Sequence, residues 1–307
     1  MRDEFVEAFK LLAKKDKNII LLTADLGFGV FDEIENDFPN QFLNVGIAEQ
    51  NMIGIATGLA LEGMKVFVYS IGNFPTLRCL EQIRNDASYH KVNVNIVAMG
   101  GGFSYGSLGM SHHATEDLSI MRSLPGVEII SPGTKEEAYF ATQLVAEREG
   151  VSYLRLDKSF YSPKRCFQFK VGKAITYEEI GLISIVTVGG ILNEVMLAAK
   201  KLKDIGIACK VIHFHTIKPF DFQRLEEIIK SSEFIISVEE HNICGGLSTT
   251  ISEYCLKSGN FPQNFKSLAL KDGFSSIVGS QDYLRNIYKI DHQAIINSVL
   301  SFINSEN

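Results

Sequence analysis

The sequence lacks the features of several classes of protein. Its five cysteines form no Cys-x-x-Cys pair and no metal-ligand spacing, and their odd number argues against a disulfide framework. No apolar run reaches the roughly 18 residues of a membrane span, and the net charge of −6 gives no basic surface for nucleic acid or an anionic membrane. The first residues form an amphipathic pattern without signal-peptide features. These absences indicate a cytoplasmic protein without nucleic-acid or membrane partners.

What remains is the composition of a folded protein of ordinary size. The chain has 307 residues, of which 46% are hydrophobic and 21% charged. This length favours two domains. Short apolar runs alternate with longer helical patterns, which is typical of βαβ units and a parallel sheet covered on both faces. The sequence predicts strands at 18–24, 65–71, 92–99, 127–131, 151–156, 182–188, 208–213, 234–239 and 266–270.

Helices are expected between these strands, and the rhythm breaks once. Residues 157–172 are polar, contain Pro163 and show no periodicity, which is typical of a linker. We therefore predict an α/β fold of two three-layer domains with mostly parallel sheets, at 1–160 and 173–307, joined by a linker at 161–172. The predicted helices are 2–14, 46–62, 74–89, 115–123, 134–148, 191–204, 221–230, 245–258 and 280–303.

The stretch 44–60 places a single carboxylate, Glu49, at the start of a helix that is otherwise apolar or small on nearly every face. Such a helix is usually buried, and a buried carboxylate is rarely left without a partner. We expect Glu49 to have one, and a ligand is one candidate; the alternative is a first-turn Glu that favours the helix dipole. Gly54 and Gly58 leave small faces that favour packing at a subunit interface.

Two further segments follow predicted strands and contain candidate site residues. Residues 70–84 include Phe74, which precedes Pro75 as expected in the first turn of a helix; the alternative is a core phenylalanine. Residues 100–117 form a glycine-rich loop with adjacent histidines, His112 and His113. The loop has no Walker pattern, so it does not indicate a nucleotide site. Adjacent side chains diverge, which disfavours a metal site there.

Asp25 and Leu26 follow the first predicted strand. Ligands of open α/β sheets bind at the carboxyl ends of strands, so this position also favours a site. Arg155 lies in the last strand of the first predicted domain, and a guanidinium suits a phosphate or a carboxylate equally well.

Together these segments resemble the transketolase group of thiamin diphosphate enzymes. Residues 44–50, Asn-Val-Gly-Ile-Ala-Glu-Gln, are similar to the pyrimidine-domain motif of that family, whose Glu hydrogen-bonds a ring nitrogen of the aminopyrimidine. The resemblance gives this role to Glu49, stacking on the pyrimidine to Phe74, and a place near the cofactor to Asp25 and Leu26. A carboxyl group in this role keeps or shares a proton near neutral pH, which promotes deprotonation of the thiazolium carbon.

The resemblance extends to the substrate side. The glycine-rich loop is similar to the family sequence Asp-Gly-Pro-Thr-His, which makes His112 the substrate-facing histidine that assists proton movement on substrate hydroxyls. Arg155 corresponds to a phosphate-binding arginine, so the resemblance implies that it holds an anionic group of the acceptor. The second domain resembles the family's C-terminal domain, whose role is subunit association, so its His213, His215 and His241 are expected to be structural.

Three positions depart from the family pattern. Leu108 stands where the family has an acid that hydrogen-bonds a substrate hydroxyl, and Gly29 and Gly100 stand where it has a Ser and a His that contact phosphate. A hydrogen bond to a substrate hydroxyl gives strong discrimination. The departures therefore indicate a donor or acceptor different from the standard sugar phosphates.

Half of the family's machinery is missing from this sequence. The Gly-Asp-Gly motif that binds Mg²⁺ and the diphosphate does not occur. A diphosphate needs a metal and preorganised donors, so the resemblance implies a partner chain that carries the diphosphate domain and holds Mg²⁺ or Ca²⁺. The expected assembly is an α₂β₂ heterotetramer with contacts between copies of this chain and with thiamin diphosphate at the interface.

The resemblance implies transfer of a two-carbon ketol unit from a ketose to an aldehyde, with sugar or sugar-phosphate substrates. One alternative is the beta subunit of a 2-oxo acid decarboxylating enzyme, or a deoxyxylulose phosphate synthase-like enzyme. A second is a non-catalytic binding or regulatory module on the same fold. Leu108 and Gly29 keep this last alternative open, whereas Glu49, Phe74 and His112 argue against it.

Overall fold

The computed structural model describes residues 1–163 and 168–306. Residues 164–167 of the predicted linker, which include Cys166, lie outside the described residues. In the first half the strands are β1 (Ile19–Thr23), β2 (Phe42–Asn44), β3 (Lys65–Ile71), β4 (Val94–Met99), β5 (Val127–Ile130) and β6 (Val151–Leu156). The helices are α1 (Arg2–Lys15), α2 (Asp32–Asp37), α3 (Glu49–Leu61), α4 (Leu80–Gln82), α5 (Asp117–Ser123) and α6 (Lys135–Ala146).

The second half has the same alternation of strands and helices. Its strands are β7 (Ile175–Glu178), β8 (Ile183–Val188), β9 (Cys209–His213), β10 (Thr216–Lys218), β11 (Phe234–Asn242) and β12 (Phe265–Leu270). Its helices are α7 (Leu192–Asp204), α8 (Phe222–Ser231), α9 (Leu247–Ser258), α10 (Gln281–Ile287) and α11 (His292–Glu306).

Two mostly parallel sheets organise the chain, which confirms the predicted fold class. The first has the order β10-β5-β6-β4-β3-β1-β2, and the second has the order β12-β11-β8-β9-β7. In the described part of the chain, β10 and β7 pair antiparallel with their neighbours, β5 and β9. The central strands of both sheets are buried along their length, as expected when helices cover both faces.

The helices cover the first sheet in two layers. Alternate residues of β1 illustrate the separation, since Ile20 and Leu22 pack with α3, α4 and α5, whereas Ile19 and Leu21 pack with α1 and α6. The core under α3 continues into the second half through α8 and α9, and α7 and α11 cover the other face of the second sheet.

The fold differs from the predicted elements in three ways. The short strands β2, β7 and β10, together with α2, were not predicted, because three to six residues carry too little periodicity. The helix predicted at 74–89 is shorter in the structure, where α4 is followed directly by a π-helical stretch, Ile83–Ser88. The helix predicted at 280–303 is two helices, because Asp291 accepts a hydrogen bond from the N–H of Ala294 and so caps a new helix.

Strand β10 crosses the predicted domain boundary. It belongs to the second half of the sequence but pairs with β5 at the edge of the first sheet. The backbone of Ser131 also donates to the carbonyl oxygen of His215, just before β10. The two predicted domains are therefore joined by a shared sheet edge.

Candidate active site at the carboxyl ends of the first sheet

Glu49 is the first residue of α3, and its side chain is 2% exposed. Its Oε2 accepts a hydrogen bond from Nη1 of Arg78 at 2.6 Å, and this is the one hydrogen bond of the carboxylate among the described residues. The expected partner therefore exists within the chain. Oε1 of Glu49 makes no hydrogen bond to the described residues. This oxygen is therefore available to a ligand, and the carboxyl group donates to an accepting ring nitrogen only when it carries the proton.

Phe74 and His112 extend this contact into a row. The guanidinium carbon of Arg78 lies 4.6 Å from the centroid of the Phe74 ring, within the range of a cation–π interaction. Phe74 also contacts His112, with ring centroids 5.3 Å apart in an edge-to-face arrangement. Phe74 is half-buried and lies outside the packed core. Glu49, Arg78, Phe74 and His112 form what we call the Glu49–His112 row.

The turn after β3 positions Phe74. β3 ends at Ile71, and Asn73 donates from Nδ2 to the carbonyl oxygen of His113 at 2.8 Å, which ties this turn to the glycine-rich loop. Oδ1 of Asn73 is buried and has no hydrogen-bond partner among the described residues. An unsatisfied buried oxygen is costly in an isolated chain, so it marks a place where a donor from a ligand or another chain fits.

The two histidines of the glycine-rich loop have different environments. His112 ends a 3₁₀ turn, Met110–His112, and is half-buried, with its Nδ1 3.0 Å from Oγ of Ser111. His113 is buried, with its Nε2 3.1 Å from the carbonyl oxygen of Gly106. His112 therefore contacts Phe74 of the row, whereas His113 stabilises the loop.

Residues of the second half of the chain hydrogen-bond to this loop. Oε1 of Glu240, on β11, accepts a hydrogen bond from the N–H of Phe103 at 2.5 Å, and Oε2 accepts one from Nε of Arg285 at 2.5 Å. Glu240 and Arg285 are both buried. The position of His112 thus depends on residues more than a hundred positions away.

Asp25 and Leu26 lie in the loop after β1 and are linked to the row indirectly. Asn44 accepts a hydrogen bond from the N–H of Asp25 at 2.9 Å and donates to its carboxylate at 3.1 Å. The same Asn44 oxygen accepts a hydrogen bond from the N–H of Gly46, three residues before Glu49 at the start of α3. The carbonyl oxygen of Leu26 accepts from the hydroxyl of Thr23. Asp25 has a positive φ of 56°, which Asp tolerates better than most residues.

Arg155 is hydrogen-bonded within the chain, and its contact with substrate stays a prediction. Its side chain is 1% exposed. Its Nε donates to Asp117 at 2.8 Å, and its Nη2 donates to the carbonyl oxygens of Ala114 and Glu240 at 3.1 Å. Asp157 lies on its other side, and burial raises the pKa of that carboxyl. The guanidinium is used inside the chain.

The departures from the family pattern have physical reasons. A Cβ on Gly100 would overlap the ring of Tyr105, so this ring fills the space that a side chain at position 100 would need. Gly29 has a φ of +70°, which strains any residue with a Cβ. Leu108 is exposed in a 3₁₀ turn, Gly106–Leu108, that precedes the turn of His112. The phosphate contacts of the family are therefore not rebuilt at these positions.

Sequence reasoning missed three residues that organise the site. Arg78 stands in the quoted segment 70–84, and Asn44 opens the quoted segment 44–50, so both were visible but had no assigned contact. Glu240 was placed in the second domain without a link to the loop. The signal that the sequence offered for Arg78 was its spacing of four residues from Phe74 in a segment predicted to be helical.

The row fits the aminopyrimidine half of thiamin diphosphate. It offers a buried carboxyl group and a half-buried aromatic ring, and the adjacent Asn73 adds an oxygen without a hydrogen-bond partner among the described residues. Within residues 1–163 and 168–306 there is no group of three His, Cys, Asp or Glu side chains that could hold a metal ion. In the same part of the chain, none of the helices has the length and apolarity to cross a membrane.

Comparisons with known proteins identify the family of this chain. Residues 1–164 match the family model for the pyrimidine-binding domain of transketolase, and residues 172–295 match the model for its C-terminal domain. The chain is 34% identical to a putative transketolase C-terminal section from Methanocaldococcus jannaschii, covering 100% of this chain and 97% of that protein. It is 30% identical to one of the subunits of apulose-4-phosphate transketolase from Actinobacillus succinogenes, covering 96% of each.

A solved structure described as a split gene transketolase, inactive beta4 tetramer, superposes with a TM-score of 0.83 at 29% identity, covering 98% of this chain and 96% of that one. Fold, site and domain matches define the class, which is a subunit of a thiamin diphosphate-dependent transferase. The chain belongs to the transketolase family, and its two domains are those of the C-terminal section of a split transketolase. These comparisons favour the transketolase prediction over the decarboxylase and synthase alternatives.

Proposed function

We propose that this chain is the pyrimidine-binding subunit of a two-chain transketolase, in which Glu49, Phe74 and His112 form one wall of a shared active site. The observation that carries the proposal is the Glu49–His112 row. It links a buried carboxylate, through Arg78, to an aromatic ring that contacts an imidazole. It lies where β2, β3 and β4 end, the edge at which open α/β sheets bind ligands.

Each residue of the wall has a separate role. Thiamin diphosphate, when bound, would supply the nucleophilic centre for transfer of a two-carbon ketol unit from a ketose to an aldehyde. Glu49 would share a proton with a pyrimidine ring nitrogen through a hydrogen bond, and its burial keeps water from competing for that bond. Phe74 offers its ring face to the pyrimidine. His112 exchanges a proton with substrate hydroxyl groups, a role that its half-buried imidazole can serve. Asp25 and Leu26, in the loop after β1, complete the cofactor-binding side of the site.

Exposed apolar side chains support a partner chain at this wall. Each segment of the site carries at least one, next to the residues assigned to the cofactor, and such clusters mark interaction surfaces. Gly54 and Gly58 on α3 would have nothing within 4 Å of an added Cβ, so this helix face is open to another backbone. The exposed residues are Phe28, Ile47, Leu77, Leu108 and Met110.

The partner carries the diphosphate domain and holds Mg²⁺ or Ca²⁺, and the assembly is an α₂β₂ heterotetramer with contacts between copies of this chain. The solved relative that forms a β4 tetramer is described as inactive, which supports the need for a second kind of chain. The substrates are sugars or sugar phosphates, and the free cysteines Cys79, Cys209, Cys244 and Cys255 support a cytoplasmic location.

The decisive experiment is to co-purify this chain with a candidate partner that contains Gly-Asp-Gly, and to titrate the pair with thiamin diphosphate and Mg²⁺ by calorimetry. The pair should bind the cofactor, and each chain alone should bind it much more weakly. The pair should also transfer a ketol unit without releasing CO₂ from pyruvate. Failure of every candidate pair to bind the cofactor would leave the non-catalytic module as the better account.

A further inference from the structure

Arg78 makes the two contacts that the proposed site assigns to the aminopyrimidine. Its Nη1 donates to Oε2 of Glu49 at 2.6 Å, and its guanidinium lies over the ring of Phe74, 4.6 Å from the centroid. A guanidinium is planar, delocalised and rich in N–H donors, and it stacks on aromatic rings. It therefore resembles a protonated aminopyrimidine in shape and in hydrogen-bonding character.

We infer that Arg78 is an internal stand-in for the aminopyrimidine: in the cofactor-free subunit it occupies the space between Glu49 and Phe74, and cofactor binding displaces it. The inference rests on the proposed function. It adds that the subunit is self-occluded, so the affinity for thiamin diphosphate includes the cost of breaking the Glu49–Arg78 pair.

The two partners of this pair differ in a way that allows displacement. The side chain of Arg78 is 44% exposed, whereas that of Glu49 is 2% exposed. A guanidinium that is already half in water can rotate outwards and be fully hydrated, but the carboxylate cannot follow it. Glu49 is the ion-pair partner of Arg78 among the described residues, so no second carboxylate there holds the guanidinium back.

The neighbouring backbone limits the movement to the side chain. Arg78 lies in a short 3₁₀ turn, Leu77–Cys79, and Cys79 is fully buried beneath it. The turn stays packed when the guanidinium leaves. The pair also has a use before assembly, because it spares the unassembled chain an unpaired buried carboxylate.

The test compares cofactor affinity of the reconstituted complex with wild-type chain, Arg78→Ala and Arg84→Ala. Arg84 follows Arg78 in the same helical segment, is exposed and donates to Asn85 instead of a carboxylate. It therefore controls for the loss of one positive charge. Because the guanidinium of Arg78 is 44% exposed, its ion pair and its cation–π contact are each weak, so Arg78→Ala should lower the Kd for thiamin diphosphate about three- to tenfold. Arg84→Ala should leave it unchanged.

A second measurement separates a stand-in from a cofactor ligand. In the isolated chain, Arg78→Ala should lower the Tm, because Glu49 loses its partner, while the complex gains cofactor affinity. Arg78→Lys keeps the charge but loses the planar stack, so its Kd should fall between those of the wild type and Arg78→Ala. It also serves as the informative variant should Arg78→Ala fail to fold.

Two results overturn the inference in distinguishable ways. In the first, the complex with the wild-type chain binds the cofactor, and the complexes with Arg78→Ala and Arg78→Lys bind it equally or more weakly. Arg78 is then not displaced, and only the stand-in role is wrong. If the wild-type pair does not bind the cofactor at all, the proposed function is wrong, and the stand-in role fails with it.

Discussion

Nε of Arg155 donates to Oδ2 of Asp117 at 2.8 Å, and both side chains are almost completely buried where the glycine-rich loop, β6 and β11 meet. The hydroxyl of Tyr153 donates to the same oxygen at 2.6 Å. The arginine that resembles a phosphate ligand in sequence is therefore a structural link between the two halves of the chain.

Replacing Arg155 should cost stability and leave substrate affinity untouched. Removing one partner of a buried ion pair costs about 3–5 kcal/mol, so urea unfolding of Arg155→Met should show a loss of that size. Arg148→Ala is the matched control, since Arg148 pairs with Glu128 at the surface and should lose at most about 1 kcal/mol. If the variant had normal stability and a raised KM, Arg155 would instead bind the substrate.

Glu49→Ala should lower kcat of the reconstituted complex about 100-fold or more, because acid–base catalysis contributes factors in this range. The isolated chain should still fold, because the partner left behind, Arg78, is half-exposed and can be hydrated. Glu62→Ala, at the exposed end of α3, should retain full activity. Measuring kcat and circular dichroism together checks this, and substantial residual turnover would exclude the cofactor-activating role.

Phe74→Ala should weaken thiamin diphosphate binding without unfolding the chain, because the ring is half-buried and contributes little to the core. Stacking of aromatic groups is worth about 0.5–1.5 kcal/mol, which is a two- to tenfold rise in Kd by the relation of about 1.4 kcal/mol per factor of ten. Phe140→Ala, an exposed phenylalanine on α6, is the control. Equal Kd values for both variants would argue against stacking on Phe74.

The adjacent histidines should separate catalysis from stability. His112→Gln should lower kcat by about 100-fold or more while cofactor Kd and Tm stay unchanged. His113→Gln should instead lower the Tm, because His113 is buried against Phe103 and Gly106. Assays of kcat, Kd and Tm on both variants check the assignment. A fall in kcat confined to His113→Gln would reverse it.

His215 should make folding stability depend on pH. Burial lowers its pKa from 6.5 to about 4. Between these values the unfolded chain binds a proton that the folded chain does not, so stability is fully present above pH 6.5 and falls as the pH drops towards 4. The full loss is about 3 kcal/mol.

His215→Phe removes the titration and keeps a ring against Phe169, which stacks on His215 at 4.1 Å. Urea unfolding from about pH 7 to about pH 5 should therefore show a flatter stability profile for the variant. His90→Phe, on the surface, should retain the wild-type slope. Parallel slopes for wild type and His215→Phe would show that another group dominates.

Much of the site was predictable because it is local in sequence. Glu49 begins α3, Phe74 follows β3 and His112 lies in the loop after β4, and each position is set by where a strand ends and a helix begins. The periodicity that locates those elements is a property of short windows. The central strands β3 and β6 have the predicted boundaries for the same reason.

The contacts between segments were not predictable in this way. Glu49 and Arg78 are 29 residues apart, and Arg155 meets a carbonyl oxygen 85 residues away. Which side chain fills a given space depends on how helices pack on the sheet. The three residues of β10 gain their strand character from pairing with β5 and not from their own pattern.

The sequence by itself determined the α/β alternation, the family and the position of a carboxylate at the start of α3, because these depend on local periodicity and on residues close in the chain. Only the tertiary structure decided that Arg78 occupies the space beside Glu49, that Arg155 is enclosed with Asp117, and that Glu240 of the second half supports the loop of His112. Burial and hydrogen-bond satisfaction are properties of the packed chain, so they select these partners only after the two sheets have come together.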